Sequence, residues 1–517
     1  MATSKVIIIG SGLGSLVSAV LLQRRGYDVT VIERQLHPGG CMQSFQRGAF
    51  QWDTGLHYVG GLDEDMPLGQ IFRELNLMEL PWIRLDDDAF DRITMPAGQF
   101  TFSCGYERFA ENLARQFPHQ REALHRYAAM LQHTVTDGSV SDAPNSATGS
   151  SVLGAATGSL VLGAPNTPST PTILNTPNTP NPSALESLGQ GAWPYLEQTF
   201  SDPILRQVVS ATAMRLELRR ETLPLFTFAH NNAGYIRSAW RLAAPGNALV
   251  DKLISELQQA GGHILTHTEV VQITEAHGHV SGCITRDGTH HTAQIVIAGT
   301  HPAVTMQMAE GCKTIRPSFK RRILRLPNTS GMLTVQLLLR PGMIPYFNRN
   351  EYVYTHNDVW DLDTDTSRRG ILISCRPSTT DAPFTRQIDI LSPMAWDQVA
   401  QWADTTIGHR PESYRRFKAQ QAQACISLAA TVIPHLEEAI SDIYISTPLT
   451  YRDYNHSPEG SAFGIRKDYH TPLLSFLSPI TPLPGLYLNG QSLMVHGIEG
   501  TTLTAATGRL VSASQRL

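Results

Sequence analysis

Glycines at 10, 12 and 14 and a lone acid at 33 are the residues of this chain whose spacing speaks most directly of chemistry. Gly10 permits a tight turn, and Gly12 lets the backbone come close to a pyrophosphate. A helix starting near Gly14 would aim free N–H groups and its positive dipole end at the phosphates. Glu33 can accept hydrogen bonds from the two hydroxyls of a ribose, which favours FAD or NAD over NADP. Ser11 and Leu13 complete the loop. Ser15 replaces the usual third glycine, at a position that needs a small residue for helix–strand packing. A second pair, Gly39-Gly40, followed by Cys41-Met42, lies one loop beyond Arg34. An NAD site has no use for it, whereas FAD needs backbone beside its ribityl chain. The cofactor expected is FAD.

These residues require a strand, a turn, a helix and a second strand in that order. Val6 to Ile9 is all apolar and β-branched, the pattern of a strand buried on both faces of a parallel sheet. Leu16 to Arg25 carries helical spacing and Gly26 suits the position just past its end. Val29 to Ile32 is the second buried strand, and Glu33 sits at its C-terminal end.

The bulk composition agrees with a globular enzyme of more than one domain. The chain has 517 residues, 41% hydrophobic and 17% charged, with a net charge of -4. No stripe of Lys and Arg offers a nucleic acid surface. The six cysteines are scattered without paired spacing, which argues against disulfides or a zinc site and fits a reducing cytoplasm. His290-His291 falls in a hairpin and reads as solvent-exposed, so no metal is expected. The apolar start is broken by glycines and preceded by a single Lys5, unlike a signal peptide. No stretch reaches the ~20 apolar residues of a bilayer span. Peripheral membrane contact stays open.

Further along, residues 61–135 hold acidic clusters and a polar helix around Glu107 to Gln132 and are expected to pass between domains. Residues 138–189 are rich in Pro, Thr, Ser, Gly and Asn, which predicts a flexible surface insertion. Residues 235–300 predict a helix (Asn247 to Gly261), a strand (His263 to Ile273), a hairpin turned at Asp287-Gly288 and a buried strand (Gln294 to Ala298). Residues 315–445 alternate apolar strands such as GMLTVQLLLR and GILISCR with amphipathic helices.

The segment GSGLGSLVSAVLLQRRGYDVTVIERQLHPGGCMQSFQRGAFQWDTGLHYVGG resembles the N-terminus of the phytoene desaturase, carotenoid isomerase and retinol saturase superfamily of FAD enzymes. TPLTYRDYNHSPEGSAFG and PGLYLNGQSLMVHGIEGTTLTAATGRLV are similar to its closing segment, nearest the saturase branch. The resemblance implies an α/β fold: a Rossmann-type, three-layer FAD-binding domain from residues 1–60, 235–300 and 485–517. A sheet-plus-helix substrate domain would come from 61–234 and 301–484. It places Gly10, Gly12, Gly14 and Ser15 on the pyrophosphate, with Glu33 on the adenosine ribose and Arg34 close by. Gly39, Gly40 and Met42 would line the ribityl side, and the Val270 backbone would pair with adenine. Gly490 and Gln491 match the terminal flavin motif, where many relatives carry an acid in place of Gln491. The backbone of Ile498, Glu499 and Gly500 would face the flavin ring.

The same resemblance sets the loop Gly55-Leu56-His57-Tyr58 near the flavin. His57 and Tyr58 each carry a transferable proton, and His496 and Glu499 flank the terminal helix. These four are the candidate catalytic residues. Only one dinucleotide fingerprint is present, so electrons are expected from an external donor or acceptor. The favoured reading is a saturase acting on a carbon–carbon double bond of a conjugated polyene, carotenoid-, retinoid- or polyene fatty-acid-like. Desaturation or cis–trans isomerisation is the runner-up. A flavin amine oxidase and a flavin-binding scaffold without turnover stand further off.

Overall fold

The computed structural model describes residues 4–136, 187–378 and 382–505, so nearly all of the expected insertion at 138–189 lies outside the described residues. A five-stranded parallel sheet has the order His263–Leu265, Asp28–Ile32, Lys5–Ile9, Ile295–Ala298, Leu486–Leu488. Its central strands are continuous apolar runs because both faces are covered. The helix Leu13–Arg24 is buried in all but its last two residues. It packs against the helices Asn247–Gln259 and Gly497–Thr504, which accounts for an apolar surface on every side.

A mixed seven-stranded sheet forms the second body. Its order is Ile440–Ser446, Gly331–Leu339, Gln387–Met394, Gly370–Cys375, Asn350–Tyr354, Asp91–Met95, Gly98–Phe102. Alternate residues of its strands face opposite ways. Leu333, Val335, Ile371, Ile373 and Ile390 join a core with the helix Glu412–Ala430. Leu372, Tyr352 and Tyr354 face a second core that includes the helix Leu225–Arg237.

Three expectations change in detail. The polar helix at 107–132 is two helices, Tyr106–Gln116 and Arg121–Thr136, because Pro118 cannot continue the first. The strand expected from His263 to Ile273 divides at His267, whose φ of 53° turns the chain. His263–Leu265 stays in the parallel sheet, while Val270–Ala276 joins a three-stranded antiparallel sheet with His279–Thr285 and His290–Thr292. Residues 61–135 also do more than connect, since Asp91–Met95 and Gly98–Phe102 complete the seven-stranded sheet.

Candidate active site

The loop after the first strand is built to leave room beside its backbone. Gly10 has φ +87°, and a Cβ on Gly12 would meet nothing within 4 Å because it would project into a cavity. The Ser11 hydroxyl donates to Glu33 Oε2 at 2.7 Å and accepts from the Gly39 N–H at 3.0 Å. One side chain thus ties the glycine loop to the acid and to the second glycine pair. Glu33 also accepts from the N–H groups of Ser11 and Gln35, both at 2.8 Å, which fixes its carboxylate at the cavity wall.

The cavity holds about 670 Å³, within the usual range for small-molecule sites. Of the residues expected to hold the cofactor, Gly10, Ser11, Gly12, Leu13, Glu33 and Arg34 line one end. Gly39, Gly40, Met42, Val270, Gly490, Gln491 and Ile498 line its course. Gly14 and Ser15 face elsewhere. A Cβ on Gly14 would lie 2.7 Å from the Thr501 carbonyl, and Ser15 packs directly on Gly299. Smallness at these two positions therefore serves the docking of the C-terminal helix and of the strand Ile295–Ala298. Gly500 is likewise pressed against the Val495 backbone, where no side chain fits. Arg34 reaches across to Tyr454 O and His456. Gln491 donates to Ala462 O and accepts from the Gly497 N–H, so its amide clamps the turn into the terminal helix.

The other end of the cavity is walled by Met332, Leu372 and Leu391 of the seven-stranded sheet. Just beneath them runs a feature absent from the sequence reading. Gln336, Asp389, Ser374, Asn350 and Asp91 occupy matching register positions on five neighbouring strands and form one transverse polar row. All five are buried, at 2% exposure or less. The loop carrying His57 and Tyr58 lies over this row. His57 Nδ1 is 3.4 Å from Asp389 Oδ2, without hydrogen-bond alignment, and Nε2 has no partner among the described residues. Tyr58 donates to Asp91 Oδ2 at 3.0 Å and shares a 2.6 Å contact with the Tyr352 hydroxyl. Both side chains line the cavity.

Charges around the row are balanced unevenly. Burial acts to raise the Asp389 pKa, but the Arg376 guanidinium and His57 outweigh it and hold the carboxyl below its ordinary value. Arg376 donates to Asp53 Oδ2 at 2.6 Å and lies 3.4 Å from Asp389 Oδ2. Asp91 has its pKa pushed up to about 6, mainly by burial. Burial also drives the Tyr58 phenol well above its usual value, so it stays neutral and serves as a donor. Arg215 lines the cavity beside Tyr58 and stacks on Tyr235, its guanidinium carbon 3.7 Å from the ring centroid.

The two remaining catalytic candidates lie outside the cavity wall. His496 is buried against Phe463, its Nε2 3.2 Å from Ile465 O, and burial lowers its pKa to about 3. Glu499 turns toward Gly234, and burial pushes its carboxyl up to about 8. Asp389, Arg376, Asp91 and Arg215 were not singled out from the sequence. For Asp389 the available signal was a lone charge within an apolar strand, QIDILS, whereas Asp91 stands beside Arg92 in DRITM and offered none.

Comparison with known proteins agrees with this architecture. Residues 8–75 match the NAD(P)-binding Rossmann-like domain family. The all-trans-retinol 13,14-reductase of Danio rerio is 22% identical over 544 residues, covering 98% of this chain and 85% of that protein. Prolycopene isomerase 1 of an Oncidium hybrid cultivar is 30% identical over 122 residues, 23% of this chain and 21% of that one. These matches support placing the chain beside the retinol saturases and carotenoid isomerases. The solved structure of an oxidoreductase from Methanosarcina mazei superposes with a TM-score of 0.63 at 15% identity, covering 98% of this chain and all of that one, a likeness of fold. The matched stretch, residues 8–75, contains the glycine loop and Glu33, which supports a dinucleotide cofactor for this oxidoreductase. No helix among the described residues is long and apolar enough to cross a membrane.

Proposed function

We propose that the chain is an FAD-dependent saturase that adds hydrogen across a carbon–carbon double bond of a conjugated polyene. The observation that carries this reading is one cavity lined both by the dinucleotide cradle and by the apolar side chains of Met332, Leu372 and Leu391, with His57 also on its wall. Gly39, Gly40 and Met42 would hold the ribityl chain of FAD and Val270 its adenine. When bound, the cofactor supplies hydride chemistry at N5. The chain's own part is to orient the polyene, exclude water and manage one proton. His57, which lines the cavity and whose Nε2 has no partner among the described residues, is the residue assigned to carry that proton. Tyr58 holds its hydrogen on Asp91 and positions the loop instead.

Electrons would come from an external donor, since among the described residues one parallel sheet alone carries a dinucleotide loop. An amine substrate fits this cavity less well. Among the described residues no lysine lines it, and the guanidinium of Arg215 would repel a cationic amine. The test is anaerobic mixing of the reduced protein with a conjugated polyene, followed by mass analysis. A gain of two hydrogens with bleaching supports the saturase reading. A loss of two would mean a desaturase, and an unchanged mass with altered retention an isomerase.

A further inference from the structure

The substrate end of the cavity contains a cation that its surroundings satisfy poorly. Arg215 is 9% exposed. One N–H donates to the Tyr58 hydroxyl at close range. Its other contacts are long: Tyr352 OH and Asn232 Oδ1 at 3.3 Å, Asn231 Oδ1 at 3.4 Å and Asp91 Oδ2 at 3.5 Å. Good N–H···O bonds run about 2.7–3.2 Å, so most of the guanidinium fork is held loosely. Asn231 lies beside it on the cavity wall, its amide oxygen turned to Arg215 and its amide nitrogen free of any described acceptor.

The charge count points the same way. Asp91 is the one carboxylate in contact with Arg215, and its other oxygen accepts from Asn350 Nδ2 at 2.9 Å. Asn350 Oδ1 in turn accepts from Arg241 at 2.7 Å. Arg241 is 2% exposed and otherwise meets only the Tyr346 hydroxyl and the Arg349 carbonyl. It has no carboxylate within ion-pair distance among the described residues. This connected group holds two guanidiniums and one carboxylate, a net positive charge that is buried except where Arg215 meets the cavity. Asp389, the other acid on the row, sits three strands away against its own cation, Arg376. A buried excess cation is costly unless something anionic completes it.

We infer that Arg215 and Asn231 form a carboxylate subsite, so that the substrate is a conjugated polyenoic acid, with its carboxylate on these two side chains and its apolar chain along Met332, Leu372 and Leu391. The inference rests on the polyene reading above and narrows it. A planar carboxylate can take two parallel bonds from a guanidinium, whereas an alcohol accepts less and neutralises nothing, and a hydrocarbon does neither.

Parinaric acid, a fluorescent conjugated tetraenoic acid, tests this against its alcohol, parinarol, on the purified holoprotein. The acid is expected to bind at least about tenfold tighter than the alcohol. Arg215→Gln should erase that preference, and Arg215→Lys should keep part of it. Asn231→Asp should weaken the acid and leave the alcohol unchanged, which decides the matter if Arg215→Gln does not fold. Equal affinities in the unaltered protein, or a preference that survives either Arg215→Gln or Asn231→Asp, would overturn the carboxylate assignment while leaving the polyene reading intact. Failure of both probes to bind would remove the polyene reading and this inference with it.

Discussion

His57 Nδ1 stands 3.4 Å from Asp389 Oδ2 beneath the cavity, and the carboxylate is held in turn by Arg376. An acid on one ring nitrogen favours the tautomer and the ring orientation that present the other nitrogen to a ligand. Since Arg376 also binds Asp53, the orientation of His57 depends on both bodies of the fold.

Replacing His57 by Gln is expected to lower turnover of a conjugated polyene by about 10²–10³-fold, the usual scale for a positioned proton carrier. Asp389→Asn should cost a similar factor, and the double variant no more than the worse single one, because the two act as a unit. Single-turnover bleaching under anaerobic conditions measures all three. Full activity in His57→Gln would remove His57 from the reaction.

Arg376→Met leaves Asp53 and Asp389, which are 3% and 1% exposed, without their shared cation. Loss of one partner from a buried pair costs about 3–5 kcal/mol, readable as a shift in the urea midpoint. The pH dependence has a definite sign. In the unaltered protein Asp389 is held below the ordinary aspartate value of 3.8, so its stabilisation is present above that pH and is lost as pH falls through the folded value. Without Arg376 burial is left to raise the Asp389 carboxyl instead, and the variant should regain stability on acidification.

Gly12→Val places its Cβ where no protein atom lies within 4 Å. The fold should therefore persist, with a thermal midpoint close to that of the unaltered apoprotein, while the purified protein emerges colourless. Retained flavin absorbance would show that the cofactor does not cross Gly12.

Glu499→Gln should stabilise the protein in a pH-dependent way. Burial raises the folded pKa to about 8, above the ordinary glutamate value of 4.5, so the native carboxyl keeps a proton that the unfolded chain has released. Stability thus falls as pH rises from 4.5 toward 8. The substitution removes that slope. A gain on the order of 1–2 kcal/mol at pH 8 and none at pH 4 is expected from parallel denaturation curves, allowing for partial exposure of the residue.

Much of the dinucleotide half was legible because its signals are local. The Val6–Ile9 run, the glycines that follow and Glu33 lie within one βαβ unit, where backbone conformation and chemistry share the same few residues. The substrate half was legible only as alternating strands and helices. Asp91, Asn350, Ser374 and Asp389 meet through pairings between distant segments, one of them parallel, and no short-range pattern encodes which strand lies beside which. Gly14 shows the converse limit. Its place in the motif suggested a phosphate contact, yet its Cα faces Thr501, far along the chain.

The transverse row of Gln336, Asp389, Ser374, Asn350 and Asp91 has a consequence for assembly. A slip of one residue in any of these pairings would turn that strand's polar member toward the helix Glu412–Ala430, among Ile371, Val335 and their neighbours. Mispaired sheets therefore carry a stranded charge or amide in oil, and the correct alignment alone avoids it. The polar groups beside the candidate site thereby double as a key for threading the chain, so a polypeptide that completes this sheet has already built one wall of its cavity.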